Sequence, residues 1–115
     1  MTIILNSSPY GSEKAWDALR LTQALVSVIM KMKINIFLLG DAVTTAKKGQ
    51  KPPEGYYNLE KMLKDLVDHG VNAVACKTCV RARGLAEADL IEGVHVGTMM
   101  DLAHCVEESQ KVLSF

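Results

Sequence analysis

Val71-Asn72-Ala73-Val74-Ala75-Cys76-Lys77-Thr78-Cys79-Val80-Arg81-Ala82-Arg83-Gly84-Leu85 is the stretch on which the reading of this chain turns. Its first part, Val71–Ala75, is almost wholly apolar and short, as a strand buried on both faces is. Two cysteines follow at once, among Lys77, Thr78, Arg81 and Arg83. A buried strand running straight into polar, reactive residues suits a parallel sheet, whose strand ends carry the chemistry.

Four further runs have the same strand character: Thr2–Leu5, Ile34–Leu39, Val94–Val96 and Lys111–Ser114. Helix-like segments lie between most of them. Alternating β and α units predict an α/β fold, a three-layer αβα sandwich around a mostly parallel five-stranded sheet, flavodoxin-like and doubly wound. In the strand order 2-1-3-4-5 the reversal falls between strands one and three. The loop Ser7-Ser8-Pro9-Tyr10-Gly11-Ser12 would then face the cysteine segment across one crevice.

The first helix is predicted from about Glu13 to Lys31, with Ser12 as its N-cap. Ala18, Leu21, Leu25, Val28 and Met32 form a stripe expected to pack on the sheet. Leu19, Val26 and Met30 make a second apolar line, which fits a broad core face or a subunit contact. Pro and Gly in Lys47–Gly55 exclude regular structure, and Lys47, Lys48 and Lys51 there read as solvated. A helix over about Asn58–His69 carries Leu59, Met62, Leu63, Leu66 and Val67 on one face and stops at Gly70. A last helix starts after Thr98, with Asp101 completing a variant capping box.

The chain has 115 residues, 49% of them hydrophobic, enough for one domain over residues 1–115 with its own core. Lys plus Arg and Asp plus Glu balance at 13 each. That balance argues against a nucleic-acid partner and removes one barrier to self-association. No stretch reads as a membrane span, and Met1-Thr2-Ile3-Ile4-Leu5-Asn6 lacks the basic start of a signal peptide. The expectation is a cytoplasmic protein. In a reducing compartment its three cysteines, Cys76, Cys79 and Cys105, read as thiols or metal ligands before disulfides.

Cys76 is expected at the strand end, where free backbone N–H groups and the charges of Lys77, Arg81 and Arg83 favour a thiolate. A thiolate attacks sulfane sulfur and becomes a persulfide. Cys79, one helical turn on, is placed to attack that persulfide and release reduced sulfur. Free cysteines are often inert core residues, but this polar boundary is poor core. Cys105, beside Leu102, Ala103 and Val106, does read as buried packing. Ser7, Ser8, Tyr10, Gly11 and Ser12 read either as an anion cradle before a helix or as a capped turn. The loop lacks the glycine pattern of a dinucleotide site. His69, His95 and His104 are not spaced with the CxxC as zinc ligands, so a zinc or iron–sulfur site would need ligands from elsewhere, as across subunits. A sulfur carrier needs no metal and no organic cofactor, and none is expected.

At this point the sequence resembles the DsrE/DsrF-like family, most closely its YchN-like branch. The matching stretches are Pro9-Tyr10-Gly11-Ser12-Glu13, Asp41-Ala42-Val43-Thr44, Gly49-Gln50-Lys51-Pro52, Cys76-Lys77-Thr78-Cys79, Arg83-Gly84, Gly93-Val94, Val96-Gly97-Thr98 and Lys111-Val112-Leu113. The most diagnostic feature is Cys76 followed eight residues later by Gly84. The resemblance implies a three-layer αβα fold and a homo-oligomer, trimer or hexamer. It also implies a sulfur-relay protein, sulfurtransferase-like if active, with a persulfide on Cys76 and donor and acceptor proteins as partners. Cys79 belongs to the narrower branch. Two other functions fit the residues: a thiol–disulfide oxidoreductase using Cys76 and Cys79, and a non-catalytic ligand-binding or assembly module.

Overall fold

Five strands, β1 (Thr2–Leu5), β2 (Asn35–Leu38), β3 (Asn72–Cys76), β4 (His95–Gly97) and β5 (Val112–Ser114), form one sheet in the order β4-β3-β2-β1-β5. All four pairings are parallel. The computed structural model describes residues 1–28 and 32–115. Its helices are α1 (Lys14–Val28), α2 (Leu59–Asp68), α3 (Lys77–Ala82) and α4 (Met99–Glu108), with a 3-10 segment at Gly40–Ala46. Each expected strand is present within about a residue of its expected limits. Among the described residues no helix is long and apolar enough to cross a membrane.

The strand order corrects the expectation 2-1-3-4-5. β2 pairs with both β1 and β3 and so separates them. Its four residues, Asn35-Ile36-Phe37-Leu38, are all buried, as a central strand requires. The chain steps across the sheet from β1 to β4 and then returns to add β5 at the far side of β1. Right-handed crossovers put helices of the forward steps on one face and the return helix α4 on the other.

On the first face α1 and α2 pack together over Ile3, Leu5, Ile36 and Leu38. Full burial of each such side chain stabilises by about 1.5–3 kcal/mol. The buried line of α1 is Ala15, Ala18, Leu19 and Thr22. Of the expected stripe, Ala18 is buried and Leu25 and Met32 pack against the core, while Leu21 is half-buried and Val28 is 78% exposed. Leu19 and Val26 of the second line also face the core, so the helix has the broad core face. Met30 and the expected helix end at Lys31 lie outside the described residues. Trp16 stacks on Tyr57 at 4.5 Å, anchoring α1 near the start of α2.

The α4 face is more polar. Thr2, Asn35 and Asn72 sit level on β1, β2 and β3. Asn72 Nδ2 donates to Asn35 Oδ1 (2.9 Å), and Asn35 Nδ2 donates to Thr2 Oγ1 (3.3 Å). Thr2 Oγ1 then meets the Cys105 carbonyl and Ser109 Oγ of α4. This row satisfies groups that burial would otherwise penalise. The helix caps follow the sequence: Asn58 accepts from Lys61 N–H, and Thr98 and Asp101 form the reciprocal box of α4.

Candidate functional site

Cys76 is the last residue of β3 and the residue just before α3. It is only 6% exposed, packed among the core side chains, while Cys79, one turn on, is half-buried. Both are free thiols. The sheet order brings the loop after β2, not the loop after β1, against this segment. That loop is the 3-10 segment Gly40–Ala46. The Gly40 N–H donates to Cys79 Sγ at 3.2 Å.

Glycine is needed at position 40 for its conformation. Its φ is +56°, in the left-handed region, yet an added Cβ would meet nothing closer than the Asn6 carbonyl at 3.9 Å. Arg83, at the end of α3, fixes the segment to that helix through Asp41. Arg83 donates from Nε and Nη2 to Asp41 Oδ1, at 3.0 and 2.7 Å, and from Nη1 to the Cys79 carbonyl at 3.0 Å. Gln50 closes the other end of the segment, its Nε2 donating to the carbonyls of Thr45 and Lys47. Tyr10 Oη donates to Gln50 Oε1 at 2.6 Å and accepts from Leu59 N–H.

The electrostatics differ from the expectation of a ready thiolate at Cys76. Burial pushes the Cys76 thiol above its ordinary range, and the adjacent Cys79 side chain pushes it further. The N–H groups of Cys79 and Thr78 pull it down, as the strand-to-helix turn should, but burial outweighs them. Arg83 is committed to Asp41. Lys77 and Arg81 are exposed and line a separate shallow cleft with Val80, Leu85, Glu87 and Val96.

Of the residues expected at the site, Cys76, Cys79 and Arg83 come together. Ser7, Ser8, Gly11 and Ser12 do not join them, because β2 intervenes. In that loop Ser12 Oγ accepts from Lys14 N–H. Tyr10 reaches the cysteine segment only through Gln50 and the 3-10 segment. Gly40 and Asp41 were not expected there. Asp41-Ala42-Val43-Thr44 carries only a family likeness in the sequence, and a seven-residue 3-10 segment has no periodicity to announce it. Lys47 and Lys48 are exposed, though Lys48 Nζ also donates to the Ala88 carbonyl. Cys105 is half-buried, more open than expected, and burial raises its thiol. Among the described residues no three His, Cys, Asp or Glu side chains converge to hold a metal ion.

Comparison with known proteins bears on this arrangement. The model of the DsrE/DsrF-like family matches residues 1–115. Protein YchN of Escherichia coli K12 is 42% identical over 115 residues, all of this chain and 97% of that one. An uncharacterized protein of Methanocaldococcus jannaschii is 44% identical over 114 residues, 99% of this chain and 97% of its own. The crystal structure of the E. coli YchN protein superposes with a TM-score of 0.94, covering 99% of this chain and 97% of that one. A protein of unknown function from Methanobacterium thermoautotrophicum shares the fold alone, at a TM-score of 0.80 and 16% identity over 99% and 98% of the two chains.

Proposed function

The chain belongs to the DsrE/DsrF-like family, and on that premise we propose that it is a cytoplasmic sulfur-relay protein carrying sulfane sulfur as a persulfide on Cys76. The observation that supports this reading most is the placing of two free thiols within one turn at the end of β3, one in the core and one half-buried. A persulfide on a 6%-exposed cysteine is sheltered from water and stray thiols. Delivery to an acceptor then needs only thiol exchange, with no metal or organic cofactor. Cys79 supports a second reading, a thiol–disulfide oxidoreductase, because the two free cysteines lie one turn apart at the start of α3.

Such a relay protein is expected to work as a homo-oligomer, a trimer or hexamer, meeting donor and acceptor proteins at the strand ends. Exposed apolar side chains support self-association: Met99 and Met100 begin α4, and Val112 and Leu113 lie on the edge strand β5.

The test is to incubate reduced protein with polysulfide, and separately with a cysteine desulfurase plus cysteine, then read intact mass and map the peptide. One added sulfur that reductant removes and that maps to Cys76 in the fully loaded protein supports the carrier. Insulin reduction without any sulfur adduct would favour the oxidoreductase.

A further inference from the structure

We infer that sulfur enters at Cys79, not Cys76: Cys79, half-buried and with its Sγ held against the Gly40 N–H, makes the first attack and then hands its outer sulfur inward to Cys76. The inference rests on the carrier reading and adds an order of events to it.

Three observations carry it. Accessibility separates the two thiols, since a donor persulfide cannot reach a sulfur that is 6% exposed as readily as one that is half-buried. Cys79 also has a fixed N–H donor from outside its own helix, the Gly40 amide at 3.2 Å. A preorganised N–H meets the negative charge on an attacking sulfur without solvent having to reorganise. Finally, the partners that hold this donor in place converge on Cys79 itself: Arg83 joins the Cys79 carbonyl to Asp41, the residue after Gly40. Cys76 has the opposite setting, with burial holding it as a thiol.

The steps balance. In the first, Cys79 as thiolate attacks the terminal sulfur of a persulfide or polysulfide donor. One S–S bond forms at Cys79, the donor's S–S bond breaks, and the electron pair leaves on the donor as a thiolate or shortened polysulfide. The proton Cys79 lost is available to that leaving group. In the second, Cys76 attacks the outer sulfur of the Cys79 persulfide. The Cys79–sulfur bond breaks, Cys79 takes back its electron pair, and the proton of Cys76 passes to it. No oxidant or reductant is consumed in either step, because the transferred sulfur arrives as sulfane sulfur. Reversal of the second step would return sulfur to Cys79 for an acceptor thiol.

The experiment is rapid-quench loading with sodium polysulfide, alkylation of the products, and peptide mapping at each time. In the unaltered protein the adduct should appear on Cys79 first and on Cys76 later. Cys76→Ser should still load, with its sulfur remaining on Cys79. Cys79→Ser should load Cys76 at least about ten-fold more slowly. Adduct on Cys76 first, or unchanged loading of Cys76 in Cys79→Ser, overturns the order. Iodoacetamide alkylation of the sulfur-free protein supplies an independent reading: Cys79 should react at least about ten-fold faster than Cys76, and the reverse ranking overturns the assignment. Failure of the carrier reading shows differently, as no adduct on any variant.

Discussion

Arg83 grips a single oxygen of Asp41 with two nitrogens, Nε at 3.0 Å and Nη2 at 2.7 Å, and so ties the end of α3 to the segment that presents Gly40 N–H to Cys79. The pair is open to solvent, with the Asp41 side chain 70% exposed. Exposed pairs contribute only about 0–1 kcal/mol to stability, so the role of this one is to set geometry. Arg83→Gln and Asp41→Asn should therefore lower the melting temperature little. Both should slow alkylation of Cys79 by about ten-fold and leave Cys105 unaffected. Exchanging the two residues, Asp41→Arg with Arg83→Asp, should restore part of the rate. Equal slowing at Cys79 and Cys105 in the single variants would show general loosening instead.

Cys76 should make stability depend on pH in the alkaline range. Its folded-state pKa is raised above the ordinary 9.0, first by burial and then by Cys79. The folded protein then holds its proton more tightly than the unfolded chain does. The resulting stabilisation is complete below about pH 9 and is lost as pH rises through the folded pKa. Urea unfolding followed from pH 7 to 10.5 should show this decline, and Cys76→Ser should flatten it. A remaining slope is expected from Cys105, which burial also raises. A decline of unchanged steepness in Cys76→Ser would remove Cys76 as its source.

The strands, the caps and the reactive segment were legible because each depends on residues close in sequence. Val71–Ala75 is apolar but for Asn72 because β3 is covered on both faces, and Thr98 and Asp101 cap each other across three residues. Strand order was not legible. Nothing local in β1 or β2 says that Thr2 sits level with Asn35, though the burial of Ile36, Phe37 and Leu38 on both faces suits a centre strand. In the order 2-1-3-4-5 the Ser7–Ser12 loop would flank the cysteines, whereas in the observed order Gly40–Ala46 does. The contact that matters most, Arg83 with Asp41, joins residues 42 apart through that order. The sign of the Cys76 shift was missed for a related reason. The backbone N–H groups were visible from the spacing, whereas the depth of burial depends on the packed core around the strand end.

Self-association should be sensitive to the apolar end of α4 and to the β5 edge. Met100 is 67% exposed and Leu113 36% exposed, large apolar surfaces that water covers poorly in a lone subunit. Light scattering of the unaltered protein should give the mass of a trimer or hexamer. Met100→Asp or Leu113→Asp should reduce that mass, since a buried unpaired carboxylate is costly at an interface. A monomer mass for the unaltered protein, or variants that assemble normally, would rule out this surface as the contact.

Gly97 lies beside Cys76 in the pairing of β3 with β4, and there the limit is space, not backbone conformation. A Cβ at position 97 would stand 2.6 Å from Val74 Cγ1 and 3.0 Å from Asp101 Oδ2. Val74 is β-branched and 7% exposed, so it has little freedom to turn aside. Gly97→Ala should therefore cost about 1–3 kcal/mol, the usual penalty of overpacking. Val74→Ala alone should cost about 1.5 kcal/mol for two lost buried methyl groups. Together they should cost clearly less than the sum, because the smaller residue at 74 makes room for the methyl at 97. Urea unfolding of the four proteins measures the coupling. Additive costs would mean that Val74 is not what excludes a side chain there, leaving Asp101 and the α4 cap as the obstacle. Since β4 is the outer neighbour of Cys76, Gly97→Ala should also raise the rate at which Cys76 is alkylated, and Val74→Ala should bring that rate back down.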